Sequence, residues 1–246
     1  MNKLASLKVK IFADGADLKG IVALAQDPLV KGFTTNPSLM KKDGVTDYET
    51  FARTLLQAVP NKPISFEIFA DDAKEMELQA REIASWGSNV YVKIPVTNTK
   101  GISTAPLISK LSREGIALNV TAILTIEQVK EVTDALAVET PAVVSVFAGR
   151  IADTGVNPEP LMAECVRIMK AKPKAELLWA SSRELLNIFQ ANDLGCHIIT
   201  VTHDMLKKLS LIGKDLNEYS LETVLMFYKD AMAAGFTINT ATEVAV

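Results

Sequence analysis

Lys93 stands inside the run Asn89-Val90-Tyr91-Val92-Lys93-Ile94-Pro95-Val96-Thr97. The run is short, apolar, β-branched and aromatic, the composition of a buried strand. A lysine among Val, Tyr and Ile must snorkel to water, pair with a carboxylate or give up its charge. Two readings are open. One is a lysine at the solvent end of a strand. The other is a desolvated amine, nucleophilic toward a carbonyl carbon and suited to a Schiff base. The second needs carboxylates nearby to move protons while a carbinolamine dehydrates. Breaking a C–C bond beside the iminium needs a further base at the departing hydroxyl. Lys93, Glu67 and Asp14 can fill these three places, and Thr121 can hold a water between lysine and glutamate. Arg150 and Arg183, with Ser181, offer forked donors for a phosphate. Ser145, Gly149 and Asp153 cluster with Arg150. Taken singly, each has a plainer reading. Asp14 suits a helix cap, Glu67 between Phe66 and Ile68 can point outward, and Arg150 can be a surface arginine.

The elements that must position these residues alternate along the chain. Strand-like runs at Val9–Ala13, Lys31–Thr34, Ile64–Ile68, the lysine run, Ala117–Thr121, Ala142–Phe147, Glu176–Ala180 and Cys196–Val201 are each followed by a helical pattern. The helical stretches are Asp17–Gln26, Tyr48–Ala58, Asp71–Ser85, Ile102–Arg113, Ile126–Leu136, Pro158–Met169, Arg183–Asn192 and Asp204–Leu209, with a last helix at Leu221–Ala234. Strict alternation predicts a parallel sheet covered by helices. Eight such units in 246 residues predict an α/β fold, a (β/α)₈ TIM barrel with an extra C-terminal helix, as one domain over residues 1–246. An open doubly wound sheet is the rival, but Asp14-Gly15-Ala16-Asp17 is no glycine-rich dinucleotide turn. In a barrel, chemistry sits at the carboxyl ends of the strands. Those ends carry Asp14, then Thr34-Thr35-Asn36, Glu67, Lys93, Asn119 with Thr121, Ser145 with Arg150 beyond it, Ser181-Ser182-Arg183, and Thr200 with Thr202. Asp, Glu and Lys on one rim with two arginines opposite form a constellation, which favours the nucleophilic reading of Lys93.

Bulk properties narrow the class. The chain is 48% hydrophobic and 22% charged, with net charge −3 and no basic block, which argues against nucleic acid as a partner. No run approaches a membrane span of ~20 apolar residues, and Met1–Lys10 is no signal peptide. Cys165 and Cys196 form no CxxC and read as reduced core thiols, so a cytoplasmic location is expected. His197, inside an apolar run, reads as a satisfied core histidine, and His203 as a cap or rim residue. With no third ligand spaced to join them, no metal is expected.

Six segments in order resemble the transaldolase family, including its short members related to fructose-6-phosphate aldolase. They are Phe12-Ala13-Asp14, Gly32 to Leu39, Val92 to Thr97, Asn119-Val120-Thr121, Ser145 to Ile151 and Ala180 to Arg183. The resemblance runs from about Lys10 to Phe236. It implies that Lys93 is the Schiff-base lysine, Asp14 the acid/base at the scissile bond, and Glu67 with Thr121 the pair that activates the catalytic water. It implies that Thr34, Asn36, Asn119 and Ser145 position sugar hydroxyls and that Arg150, Ser181 and Arg183 hold the phosphate. Aldolase-type members resemble a Gln and a Tyr where this chain has Glu67 and Phe147, so transfer of a dihydroxyacetone unit is expected over release of free dihydroxyacetone. The turn Val201-Thr202-His203-Asp204 departs from the proline-containing turn of short members, and Trp179 can narrow the phosphate end. Both leave donor and acceptor open. No cofactor is implied, since a protonated imine is its own electron sink. The apolar faces of the last helix (Leu221, Val224, Leu225, Phe227, Tyr228, Met232) imply a homo-oligomer, as in the pentamers and decamers of short relatives. A silent sugar-phosphate binding protein and a metal-dependent barrel hydrolase using Asp14, His197 and His203 are the rivals from other classes.

Overall fold

Eight parallel strands close on themselves in chain order: β1 (Lys10–Asp14), β2 (Val30–Thr34), β3 (Ile64–Glu67), β4 (Val90–Pro95), β5 (Leu118–Ile123), β6 (Ala142–Val146), β7 (Ala175–Trp179) and β8 (Ile198–Thr202), with β8 pairing back onto β1. Between them run α1 (Leu18–Leu24), α2 (Pro37–Lys42), α3 (Tyr48–Ala58), α4 (Ala73–Ser85), α5 (Ala105–Arg113), α6 (Ile126–Ala135), α7 (Ala148–Asp153), α8 (Glu159–Met169) and α9 (Leu186–Leu194), and α10 (His203–Lys207) follows β8. This is the (β/α)₈ barrel, seen here in a computed structural model that describes residues 4, 6–238 and 240. The chain divides into two compact units, Met1–Lys208 and Leu209–Val246. The second contains α11 (Leu216–Ala233), whose start is capped by Asp215 accepting from the amides of Asn217 and Glu218. None of the residues of α11 is buried.

Alternation along the strands divides the barrel into an outer apolar face and a filled interior. Phe66, Val92, Ile94, Val120 and Val144 are buried on the outer face, beneath the helices. Inside, Phe12, Val143, Leu178 and Ile198 form one cluster, with Tyr91 packed against it. Phe12, Tyr91, Val143 and Ile198 plug the amino-terminal part of the barrel, while Leu178, in register with Ser145, also lines the cavity described below. Gly32 on β2 makes the plug possible, because a Cβ there would lie 2.5 Å from the Phe12 ring. One pleat further on, the inward residues become polar, and register aligns them. Glu67 pairs with Lys93, and Lys93 with Asn119. Asp14 pairs with Thr34.

The structure corrects several boundaries. Two short helices were not anticipated. α2 is started by Asn36, whose side chain accepts from the Leu39 amide, with Pro37 at its first position. α7 begins directly after Phe147 and has no side-chain cap. β5 runs past Thr121 to Ile123 through a register shift, and Ala122 there takes φ 61°. This bulge turns both Thr121 and Ala122 toward the cavity described below. The last helix starts at Leu216, not near Leu221. His197 is not in the core. It is exposed, immediately before β8 at the amino-terminal end of the barrel, where Nδ1 accepts from the Leu177 amide. Cys165 and Cys196 are buried, and burial pushes both thiols up to about 12, which makes them inert.

Ser181 adopts φ 63°, a left-handed conformation uncommon for a residue with a side chain. Its carbonyl presses on Gly149, where an added Cβ would lie 1.6 Å from the Ser181 oxygen. Gly149→Ala therefore has to displace the turn after β7. A loss of ~1–3 kcal/mol is expected, read as a lower urea midpoint. An unchanged midpoint would mean that this turn yields freely.

Candidate active site

A cavity of about 470 Å³ opens at the carboxyl ends of the strands. Asp14, Glu67, Lys93 and Thr121 all line it, as do Thr34, Asn36, Asn119, Ser145, Phe147, Arg150 and Ser181. Of the residues given a catalytic or substrate-binding role from sequence, Arg183 alone does not line it, and Trp179, expected to narrow the phosphate end, is buried and does not line it either.

Lys93 is buried, and its placement follows from β4. Val90, Val92 and Ile94 take the outer face, so Tyr91 and Lys93 point inward. Its Nζ lies 3.2 Å from Glu67 Oε2 and donates to the Thr35 carbonyl at 3.0 Å. Glu67 therefore points inward, settling the alternative left open by its flanking Phe66 and Ile68. Its backbone is fixed from outside the barrel, where Tyr48 of α3 donates to the Glu67 carbonyl at 2.8 Å. Burial raises the pKa of that phenol well above its usual value, so it stays a neutral donor. Tyr48 stacks edge-on against Trp86 and Phe66, which stiffens β3 and α4.

Thr121 Oγ1 is buried and has no partner among the described residues. A hydroxyl left unpaired there costs free energy unless a water or ligand meets it. It borders the same cavity as Lys93 and Glu67. Asn119 is fully buried, donates to Ser65 Oγ at 2.9 Å and accepts from Ser145 Oγ at 2.7 Å. This chain spans β3, β5 and β6 and holds the amide in one orientation.

Asp14 accepts from Thr34 Oγ1 at 2.8 Å. Burial raises its pKa above the usual aspartate value, opposed by the charge of Lys93, the Thr34 hydrogen bond and His203. His203, first residue of α10, lays its ring against Gly15 and Gly20 behind the Asp14 turn. Its Nε2 is buried without a partner among the described residues. The cap of α10 is Thr202 rather than His203, whose ring packs on the β1–α1 turn.

At the opposite side, the guanidinium of Arg150 lies 5.3 Å from the centre of the Phe147 ring. Arg183 is held differently from the expectation. Its Nε donates to Asp153 Oδ1 at 3.0 Å, and its terminal nitrogen pairs with Oδ2 of the same carboxylate. The fork is therefore occupied, and the side chain does not line the cavity. Asn36 commits one acceptor site of its oxygen to the α2 cap, leaving its NH₂ and the second lone pair for a ligand.

Residues missed from sequence include Ser65, Tyr48 and Thr35, the last acting through its backbone. Ser65 had a signal: it sits two before Glu67 and so shares its face. Tyr48 and the Thr35 carbonyl had none, because both act through tertiary approach. Among the described residues, no group of three or more His, Cys, Asp or Glu is placed to hold a metal ion.

The raised pKa of Asp14 is also a stability statement. The folded state binds its proton more tightly than the unfolded chain, so this carboxyl lowers stability as pH rises from the unfolded pKa through the folded one. Asp14→Asn keeps an acceptor for Thr34 and removes the charge. We expect it to melt higher than the parent at neutral pH, with the gain vanishing below the ordinary aspartate range. Thermal melts across pH check this, and a constant difference at every pH would count against it.

A family model described as Transaldolase/Fructose-6-phosphate aldolase matches residues 11–244. A protein described as a probable transaldolase from Dehalococcoides mccartyi is 37% identical over 202 residues, covering 82% of this chain and 90% of the relative. One of the same description from Methanococcus maripaludis is 35% identical, covering 82% and 89%. Among solved structures, a putative lyase/mutase from Burkholderia cenocepacia aligns with a TM-score of 0.58 at 16% identity, covering 95% of this chain and 87% of that one, a likeness of fold. With the family model covering nearly the whole barrel and relatives above 30% identity, the chain belongs to the transaldolase/fructose-6-phosphate aldolase family.

Proposed function

We propose that this protein is a transaldolase that moves a dihydroxyacetone unit from a ketose phosphate to an aldose phosphate through a Schiff base on Lys93. The observation that carries the proposal is the approach of Lys93 Nζ to Glu67 Oε2, 3.2 Å, inside a cavity that Asp14 also lines. The donor is fructose 6-phosphate or sedoheptulose 7-phosphate, and the place of the reaction is the pentose phosphate pathway in the cytoplasm. Residues 1–246 act as a single class I aldolase-type unit.

Lys93 attacks C2 of the ketose as the free amine, once an ammonium proton has passed to Glu67. Glu67 and Thr121, through a water in the space that Thr121 Oγ1 faces, move the protons of carbinolamine dehydration. Asp14 takes the proton from the C4 hydroxyl and C3–C4 breaks. The electron pair passes into the protonated imine, which is why no metal or organic cofactor enters the scheme. The enamine waits on Lys93 for an aldose phosphate, and the steps run in reverse. Thr34, Asn36, Asn119 and Ser145 orient the sugar hydroxyls. Arg150 and Ser181 hold the phosphate, and Arg183 joins them by exchanging Asp153 for it. Phe147 brings no hydroxyl near the enamine, so protonation and release of free dihydroxyacetone are disfavoured.

Borohydride added with fructose 6-phosphate should leave a mass increment on Lys93, and Lys93→Ala should lower transfer by at least about a thousandfold. No increment on that lysine would remove the mechanism. The second reading, a fructose-6-phosphate aldolase releasing free dihydroxyacetone, predicts cleavage without an acceptor at a rate equal to transfer. We expect that rate to be far lower.

On α11, Leu221, Val224, Phe227 and Tyr228 are each at least 60% exposed. Such a surface supports a homo-oligomer, a pentamer or decamer. Light scattering should return a multiple of the 26.7 kDa chain mass, and a monomer at micromolar concentration would sink the idea.

A further inference from the structure

Asp14 is not held by Thr34 alone. Thr34 Oγ1, which donates to Asp14 Oδ1, also lies 2.7 Å from Thr200 Oγ1 on β8. A threonine hydroxyl has one hydrogen. If Thr34 gives its hydrogen to the Asp14 carboxylate, the short contact with Thr200 requires Thr200 to be the donor. The chain then runs Thr200 O–H to Thr34 O–H to Asp14, across β8, β2 and β1. Thr200 is buried and borders the cavity, yet nothing in the proposed scheme uses it.

From this geometry we infer that Thr200 is a positioning residue for Asp14, holding its carboxyl through Thr34 in both of its protonation states. The inference rests on the proposed role of Asp14 at the scissile bond. With Asp14 ionised, two aligned hydroxyl dipoles end on Oδ1, and each strengthens the other. With Asp14 protonated on Oδ2, the oxygen left free to take the C4 hydroxyl proton, Oδ1 remains an acceptor and still receives Thr34 Oγ1–H. The order of donors is the same in both states, and the carboxyl does not turn. A base that need not reorient during proton transfer is preorganised for it.

The backbone of Thr200 anchors the hydroxyl. Its carbonyl accepts from Ser182 Oγ at 2.8 Å, on the turn that carries Ser181. Register pairs Thr200 with Phe12, two residues before Asp14 on the same face of β1. The side chain thus reaches Thr34 from a strand locked on both edges. Thr200→Val keeps the shape and the carbonyl and removes only the hydroxyl.

Two readouts test the inference. The first does not depend on turnover: the titration of Asp14, followed by carboxyl carbon NMR in the unliganded protein. The charged groups that act on Asp14 are Lys93, Glu67 and His203, and all three are unchanged in the variants. Hydrogen bonds to an ionised carboxylate lower its pKa. Losing the far donor should therefore move the Asp14 titration to higher pH in Thr200→Val, and Thr200→Ser should restore it. The second readout is transfer. Thr200→Val should lower kcat about tenfold with KM within about twofold, with the acid limb of the pH–rate profile moved upward. Borohydride trapping on Lys93 should be undiminished. An Asp14 titration unmoved in Thr200→Val overturns the inference whatever the rate does. An equal shift in Thr200→Ser overturns it too, since packing alone would then be responsible. Absence of a trapped Lys93 adduct in the parent would instead strike the Schiff-base reading, while the titration still decides the link between Thr200 and Asp14.

Discussion

An ammonium and a carboxylate 3.2 Å apart inside a protein core set the terms for the rest of this barrel. Desolvating each ion costs several kcal/mol, and their attraction repays it only with good geometry and satisfied hydrogen-bonding capacity. Register supplies the geometry, since Glu67 and Lys93 are direct partners on β3 and β4. The Thr35 carbonyl takes a further ammonium hydrogen. Tyr48, clamped by aromatic neighbours, keeps β3 from sliding. A pair held this way cannot relax by separating, so its proton traffic must pass through the groups around it. That is the physical content of calling the site preorganised.

The second constraint is the asymmetry between the two ends of the barrel. Interior positions are occupied by Phe12, Tyr91, Val143 and Ile198 below and mainly by polar residues above, with Leu178 and Ala180 on the β7 side. The apolar plug fills the barrel beneath the polar layer. Gly32 permits it, because a Cβ there would lie 2.5 Å from the Phe12 ring. A residue with no chemistry of its own therefore sets how the floor beneath the site is packed.

Much of this could be read from the chain, for a definite reason. Inward and outward faces alternate within a strand, and that is a local pattern. Tyr91-x-Lys93 and Asn119-x-Thr121 announce their shared faces with a period of two. Helices with a long apolar stripe, such as α3 over Tyr48–Ala58, were legible at both ends. Short ones were not. α2 and α7 have too few turns to show a period, and α2 depends on an Asn cap that also reads as a site residue. Arg183 illustrates a different limit. Its partner Asp153 lies 30 residues away, and nothing local says that its fork is already filled. His197 failed for want of strand direction: an apolar run suggested the core, but the residue falls just before the strand, at the end that meets solvent. The Thr35 carbonyl is invisible by nature, since every residue has one.

The two sides of the cavity are built by different means, and the difference bears on how each would respond to a ligand. Around Lys93 most determinants are buried strand side chains, Glu67, Ser65, Asn119 and Ser145, joined by the Thr35 carbonyl. Around Arg150 they are backbone devices. Ser181 is held at φ 63° because its carbonyl rests on a glycine, and α7 starts without a side-chain cap. Arg150 is exposed and leans on Phe147, while Arg183 is exposed and tied to the Asp153 carboxylate, which the proposed scheme exchanges for phosphate. Exposed ion pairs contribute little, about 0–1 kcal/mol, so exchanging one for a phosphate costs little. The rigid side thus suits a reaction whose atoms must not drift, and the looser side suits a charged tail that has to be gripped and released. Both follow from where burial ends along β6 and β7. Ser145 is inside the wall, and the chain five residues later is already in water.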